Sequence, residues 1–140
     1  MLTLLLTTPG LTLGPPVSPA WHVRPTSFET MKMTLINWRD TYEHGSEDFN
    51  STLEMIAWHK TTKDKPACLA LYYNHDLRAL AQMRHHNEQI QLRSIITPRY
   101  EAEAGTILLL KIIRQTDVTI DWEAMKTNKR WYLAAIFATR

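Results

Sequence analysis

Residues 95 to 110 carry the pattern with the most chemistry in it. Ile95-Ile96-Thr97-Pro98 leads through Arg99-Tyr100-Glu101-Ala102-Glu103-Ala104-Gly105-Thr106 into Ile107-Leu108-Leu109-Leu110. An apolar strand that crosses a turn of small residues into a helix is an anion-binding device. The free N–H groups of the first helical turn point at the ligand, and the helix dipole favours negative charge there. Glu101 and Glu103 stand in the same turn and would repel a phosphate. The shape favours cofactor binding and the charge opposes it.

The other reactive side chains form no cluster along the chain. The 6 histidines have no metal-ligand spacing. His85 and His86 are adjacent, so on a strand they point to opposite faces and cannot chelate together; no metal is expected. Cys68 lies in an apolar run and reads as a small core residue rather than a nucleophile. As the only cysteine it can form no intrachain disulfide, which fits a reducing, cytoplasmic compartment. Of the 5 tryptophans, Trp38 and Trp122 fit core faces, and Trp21, Trp58 and Trp131 are candidates for a groove or an interface.

A chain of 140 residues suits one domain, and its net charge of +2 is too small to point to nucleic acid. Lys60, Lys63 and Lys65, and Lys126, Lys129 and Arg130, read as solvated loop or helix ends. Met1 to Ala20 lacks charged side chains and turns from Leu/Thr-rich to Pro/Gly-rich. It reads as a flexible arm. Leu4-Leu5-Leu6 and Ser18-Pro19-Ala20 also resemble a signal-peptide core and its cleavage site, but no Lys or Arg precedes them. The run is too short to span a membrane as a helix. The folded unit is therefore expected over 21–140.

The elements that must hold the turn at 95 to 106 follow from periodicity. His22 to Arg24 is a short strand closed by Pro25. Thr26 and Glu29 have capping-box spacing, and Phe28, Met31, Leu35, Trp38 and Tyr42 fall on one helical face up to Gly45. Ser46 caps a second helix with Phe49, Leu53, Ile56 and Ala57 as its buried face. Lys63 to Pro66 is a polar linker. Ala67–Tyr73, Leu77–Arg84 and Gln89–Thr97 read as an antiparallel meander, with turns at Asn74-His75-Asp76 and His86-Asn87-Glu88. A deeply apolar helix spans Gly105 to Gln115. Val118, Ile120 and Trp122 form a strand that its helical connection makes parallel to its neighbour. Trp131 to Thr139 suits a strand or a short helix. The fold class expected is α/β in layers (α+β), a mixed, mostly antiparallel central sheet flanked by helices.

This order over residues 21 to 125 resembles the GNAT (GCN5-related N-acetyltransferase) superfamily. Val23-Arg24-Pro25 resembles the family's first strand, Pro98-Arg99-Tyr100 the Pro-x-Tyr that ends its fourth, and Leu109-Leu110 the Leu-Leu of the helix that follows. The family's pyrophosphate-binding signature, Gln/Arg-x-x-Gly-x-Gly/Ala, is degenerate here. Aligned on Pro98 and Tyr100, its Arg falls on Glu101 and its glycines on Ala104 and Thr106. Started from Arg99, its glycines fall on Ala102 and Ala104. Asn128 matches the Asn that follows the fifth strand; the usual Tyr position is Ala135, with Tyr132 the nearest substitute. The chain ends with room for about one more strand, so the sheet is expected to be shortened at its C-terminal end, or completed by a second copy or a partner.

The resemblance implies an acetyltransferase that moves an acetyl group from acetyl-CoA to an amine on a small molecule or a protein. Ile95 and Ile96 would offer a backbone N–H to the thioester carbonyl. Glu101, Ala102, Glu103, Ala104, Gly105, Thr106 and Asn128 would face the cofactor. Glu88 or Asp121 would act as general base, and Tyr132 would protonate the leaving thiolate. As plain structure, Glu88 is a turn residue, Asp121 an outward strand residue and Tyr132 a packing aromatic. The rival expectations are a catalytically inactive protein of this fold that binds or regulates without acetyl-CoA, and a self-assembling protein that pairs its edge strands, as in a homodimer.

Overall fold

The computed structural model of the chain describes residues 20–63, 65–98 and 101–139. The arm expected at 1–20, apart from Ala20, and the Arg99-Tyr100 pair of the motif lie outside the described residues.

Among the described residues nine elements follow one another: β1 (Trp21–Thr26), α1 (Phe28–Arg39), α2 (Glu47–Thr61), β2 (Lys65–Tyr73), β3 (Asp76–His86), β4 (Gln89–Ile96), α3 (Ala102–Gln115), β5 (Val118–Ile120) and α4 (Trp122–Ala138). The described strands form one five-stranded sheet in the order β1-β2-β3-β4-β5. The first three pairings are antiparallel, and β4 with β5 is parallel. This is the mixed, mostly antiparallel sheet expected, and it is short after β5, where a helix replaces further strands.

Short-range chemistry accounts for the meander. Asn87 and Glu88 both take positive φ, 52° and 64°, so the two-residue turn between β3 and β4 has the twist that antiparallel strands need. Asn74, at φ 59°, opens the matching turn between β2 and β3. β1 runs through Pro25 instead of stopping before it. Pro25 is tolerated because β1 is an edge strand with one free side. Ser27, rather than Thr26, caps α1, accepting from the Thr30 N–H at 3.1 Å. The capping box drawn from Thr26 to Glu29 is thus displaced by one residue. Ser46 caps α2 as expected, accepting from the Phe49 N–H at 3.2 Å. The helix expected to reach Gly45 ends at Arg39, and Gly45 (φ 82°) sits in the turn between the helices.

Two cores lie on the two faces of the sheet. Met31, Leu35 and Trp38 of α1 and Met55 of α2 pack on Cys68, Ala70, Leu80 and Ile96. On the other face, Ala104, Leu108, Leu109 and Ile112 of α3, with Ala124, Tyr132 and Ala135 of α4, pack on Leu71, Ala79, Ala81, Met83 and Leu92. Alternation along β2 and β3 explains the split, since neighbouring strand residues face opposite sides: Ala70 and Leu80 enter one core, Leu71, Ala79 and Ala81 the other. The buried face of α2 is rotated from the expected one: Thr52 and Met55 are inside, and Leu53 and Ala57 are exposed. Thr52 can be buried because its hydroxyl donates to the Phe49 carbonyl at 2.7 Å.

Candidate functional site

A break in strand pairing opens the site. Met83 faces Leu92 and Gln82 faces Ser94 across the β3–β4 ladder, so Arg93 is an extra residue, a β-bulge. A bulge bends its strand and increases the local twist. β5 pairs with β4 only from Ile90 to Leu92, and the chain then leaves through Asp121, whose N–H donates to the Leu92 carbonyl at 2.8 Å. From Arg93 to Ile96, β4 therefore has no β5 partner. Opposite that free edge stands α4, bent at Asn128, whose φ of −146° and ψ of 51° are not helical. The space between holds a cleft of about 560 Å³.

Three walls and a floor enclose it. Arg93, Ser94, Ile95 and Ile96 form the strand wall; Asn128, Trp131 and Tyr132 form the α4 wall. The third wall is α2, with Glu47, Asp48, Ser51 and Glu54 facing the cleft. Gln82 is fully buried beneath, and its amide N–H donates to the Met55 carbonyl at 2.8 Å, which holds α2 above the sheet. The Tyr42 hydroxyl donates to the Thr97 carbonyl and ties the chain before α2 to the far end of β4. α2 therefore runs antiparallel to β4 along the cleft, with Trp58 beside Arg93. The Arg93 guanidinium lies over the Trp58 ring at 4.7 Å from its centroid.

The structure gathers some of the expected site residues and disperses others. Ile95, Ile96, Asn128 and Tyr132 line the one cleft. Burial pushes the Tyr132 phenol up to about 12, so it keeps its proton at neutral pH. Glu88 is exposed in the β3–β4 turn, at the other end of β4 from Ile96. Eight residue steps separate them, roughly 26 Å, so Glu88 is not brought to the cleft. Asp121 is not an outward strand residue. It is 4% exposed, with its carboxylate 3.0 Å from Arg84 and 3.9 Å from Arg93, and it sits behind the cleft wall as an anchor for both guanidiniums.

The turn into α3 is built for close packing. Ala104 is fully buried in the core, and its N–H donates to the Glu101 carbonyl at 3.0 Å. A Cβ added to Gly105 would meet the Thr97 methyl at 3.2 Å and Ile95 at 3.7 Å, so this glycine lets the helix sit against the end of β4. Thr106 accepts a hydrogen bond from the Trp131 indole at 3.0 Å. Ala102 begins the helix, and Glu103 is exposed in its first turn. Glu101 pairs with Arg78 of β3 at 2.7 Å. That ion pair offsets one of the two charges that oppose an anion at this helix end. The turn accordingly carries a helix dipole and an Arg78–Glu101 ion pair, without the paired glycines of a phosphate cradle.

Reading the chain alone missed Arg93, Ser51 and Glu54, and placed Trp58 only as a candidate for a groove or an interface. A signal existed. Glu47, Ser51, Glu54 and Trp58 recur at steps of four, three and four, which is one helical stripe. Burial pushes the Cys68 thiol up to about 12, in keeping with a core residue and not a nucleophile. Among the described residues, no group of three or more His, Cys, Asp and Glu could hold a metal ion, and no helix is long and apolar enough to cross a membrane.

No protein-family model matches the chain, and no curated protein matches it. Solved structures do. A PaiA N-acetyltransferase from Thermoplasma acidophilum, solved in complex with coenzyme A, is 14% identical with a TM-score of 0.43, covering 66% of this chain and 69% of that one. A possible acetyltransferase from Clostridium difficile 630 is 12% identical with a TM-score of 0.48, covering 84% and 89%. Similarity this distant carries no argument about activity, which rests on the cleft itself.

Proposed function

We propose that the chain is an N-acyltransferase that takes an acetyl group from acetyl-CoA to an amine in the cleft between β4 and α4. The observation that carries this reading is the parting of β4 from β5 at the Arg93 bulge, which leaves a strand edge facing a buried, protonated Tyr132. Acetyl-CoA supplies a thioester whose carbonyl carbon bonds to the amine nitrogen as the C–S bond breaks. The free edge of β4 about Ile95 and Ile96 offers backbone N–H to the carbonyl oxygen, whose charge grows during the attack. A carboxylate on the α2 wall, for which we choose Glu54, takes the proton that the amine loses. Tyr132, which burial keeps protonated, gives its proton to the departing thiolate. The first turn of α3, from Ala102 to Gly105, would hold the phosphates, with Glu101 neutralised by Arg78.

Two measurements test this. Acetyl-CoA at millimolar concentration should raise the thermal midpoint of the protein by mass action, and no rise would overturn the reading. Release of free thiol should then depend on an added amine. Tyr132→Phe should lower its turnover by about tenfold to a hundredfold, toward the low end of general-acid effects, while acetyl-CoA affinity stays near that of the parent.

A further inference from the structure

We infer that the acceptor is a small amine that also carries a carboxylate roughly 7–10 Å from its nitrogen, an ω-amino acid, with Arg93 as the carboxylate anchor. The identity of the acceptor rests on the acyl-transfer reading above; the binding of the amino acid does not.

The two ends of the cleft differ in charge. At one end Arg93 is fixed from three sides. The bulge sets its backbone, the Trp58 ring lies under its guanidinium at 4.7 Å, and Asp121, 4% exposed, stands 3.9 Å behind it. Asp121 is shared with Arg84 at 3.0 Å, so one buried carboxylate faces two guanidiniums. Of these groups it is Arg93 that lines the cleft. A guanidinium stacked on a ring still presents its N–H edge, and that edge matches a carboxylate with two parallel hydrogen bonds.

Away from Arg93 the sign reverses. α2 runs from Trp58 back past Glu54 and Ser51 to Asp48 and Glu47. None of these three carboxylates is in an ion pair with a described residue. One turn of helix, roughly 6 Å, separates Glu54 from Trp58. Along the facing strand, Ile95 and Ile96 lie two and three residues beyond Arg93, about 7–10 Å at strand spacing. An ammonium would therefore settle beside Ile95 and Ile96 among the α2 carboxylates, with a carboxylate on the same molecule reaching Arg93. A diamine of the same length would put its second ammonium against Arg93. A dicarboxylate would meet the acids of α2. Repulsion at each end rejects both, which is how a site selects by charge order rather than by net charge.

Isothermal titration of the full chain, without any acyl donor, tests the assignment. The probes are ε-aminocaproate, hexylamine, cadaverine and glycine. ε-Aminocaproate should bind about tenfold or more tighter than the other three. Arg93→Gln should remove that advantage and leave hexylamine affinity near its parent value. Arg93→Lys keeps the charge without the fork and should retain part of the advantage, which guards against a variant that merely misfolds. Cadaverine binding as tightly as ε-aminocaproate, or a preference that survives Arg93→Gln, would overturn the inference. Binding of ε-aminocaproate without acetyl transfer would sink the enzyme reading alone. Transfer to cadaverine and ε-aminocaproate at equal rates would sink the acceptor alone.

Discussion

At the scale of single residues, the same side-chain chemistry takes opposite roles according to burial and partners. Asp121 and Glu54 are both carboxylates near the cleft. Two guanidiniums occupy Asp121, whereas Glu54 faces open space. Under the acyl-transfer reading proposed above, proton transfer would fall to Glu54 and charge placement to Asp121. Cys68 shows the same logic. Its thiol is 2% exposed and burial pushes it up to about 12, so almost no thiolate forms at neutral pH. The folded protein should react with a thiol reagent such as DTNB at least about a hundredfold more slowly than the denatured chain. Fast labelling of the native protein would show that the β2 face opens. Cys68 was legible from its apolar run alone. Asp121 was not, because its alternating position on a strand implied an outward side chain, while the strand in fact ends at Ile120.

At the scale of elements, what the chain reveals is whatever local rules decide. The meander was legible because Asn-centred turns and alternating Ile and Leu fix its register over short distances. Trp131 to Thr139 was not, because apolar residues occur nearly throughout it and suit either period. Tertiary packing chooses the helix there, seating Tyr132 and Ala135 on the sheet beside α3. The small residues that open α3 suit a phosphate-binding turn, and in the structure Ala104 and Gly105 also bring the helix against β4. Gly105→Val decides between these uses. Its branched side chain would meet Thr97 and Ile95 and should cost about 1–3 kcal/mol of stability through overpacking, measurable by urea denaturation. A stable Gly105→Val protein that has lost only acetyl-CoA affinity would restore the cradle reading.

At the scale of the whole molecule, the cleft lies where the two helical layers approach each other past the open part of the sheet edge. α2 arrives from the α1 side, α4 from the α3 side, and β4 lies between them. Anything that loosens α1 and α2 from the sheet therefore alters the acid wall as well as stability. His59 is placed to do this. Its ring stacks on Phe28 of α1, centroid to centroid at 5.0 Å, and its Nδ1 is buried with no hydrogen-bond partner. Burial lowers its pKa from the usual 6.5, so the folded chain favours the neutral ring. Between the lowered folded value and 6.5 the unfolded chain binds more protons than the folded one, and stability rises with pH across that window. The contribution is complete above 6.5 and is lost as pH falls through the folded value. Thermal midpoints taken from pH 7.5 down to pH 5 should fall further for the parent than for His59→Phe, which keeps the stacking area and cannot titrate. Parallel pH curves for the two proteins would show that this seam between α1 and α2 does not sense protons. A steeper fall in the parent would instead tie acidification to the α2 wall, and amine binding should weaken over the same pH window.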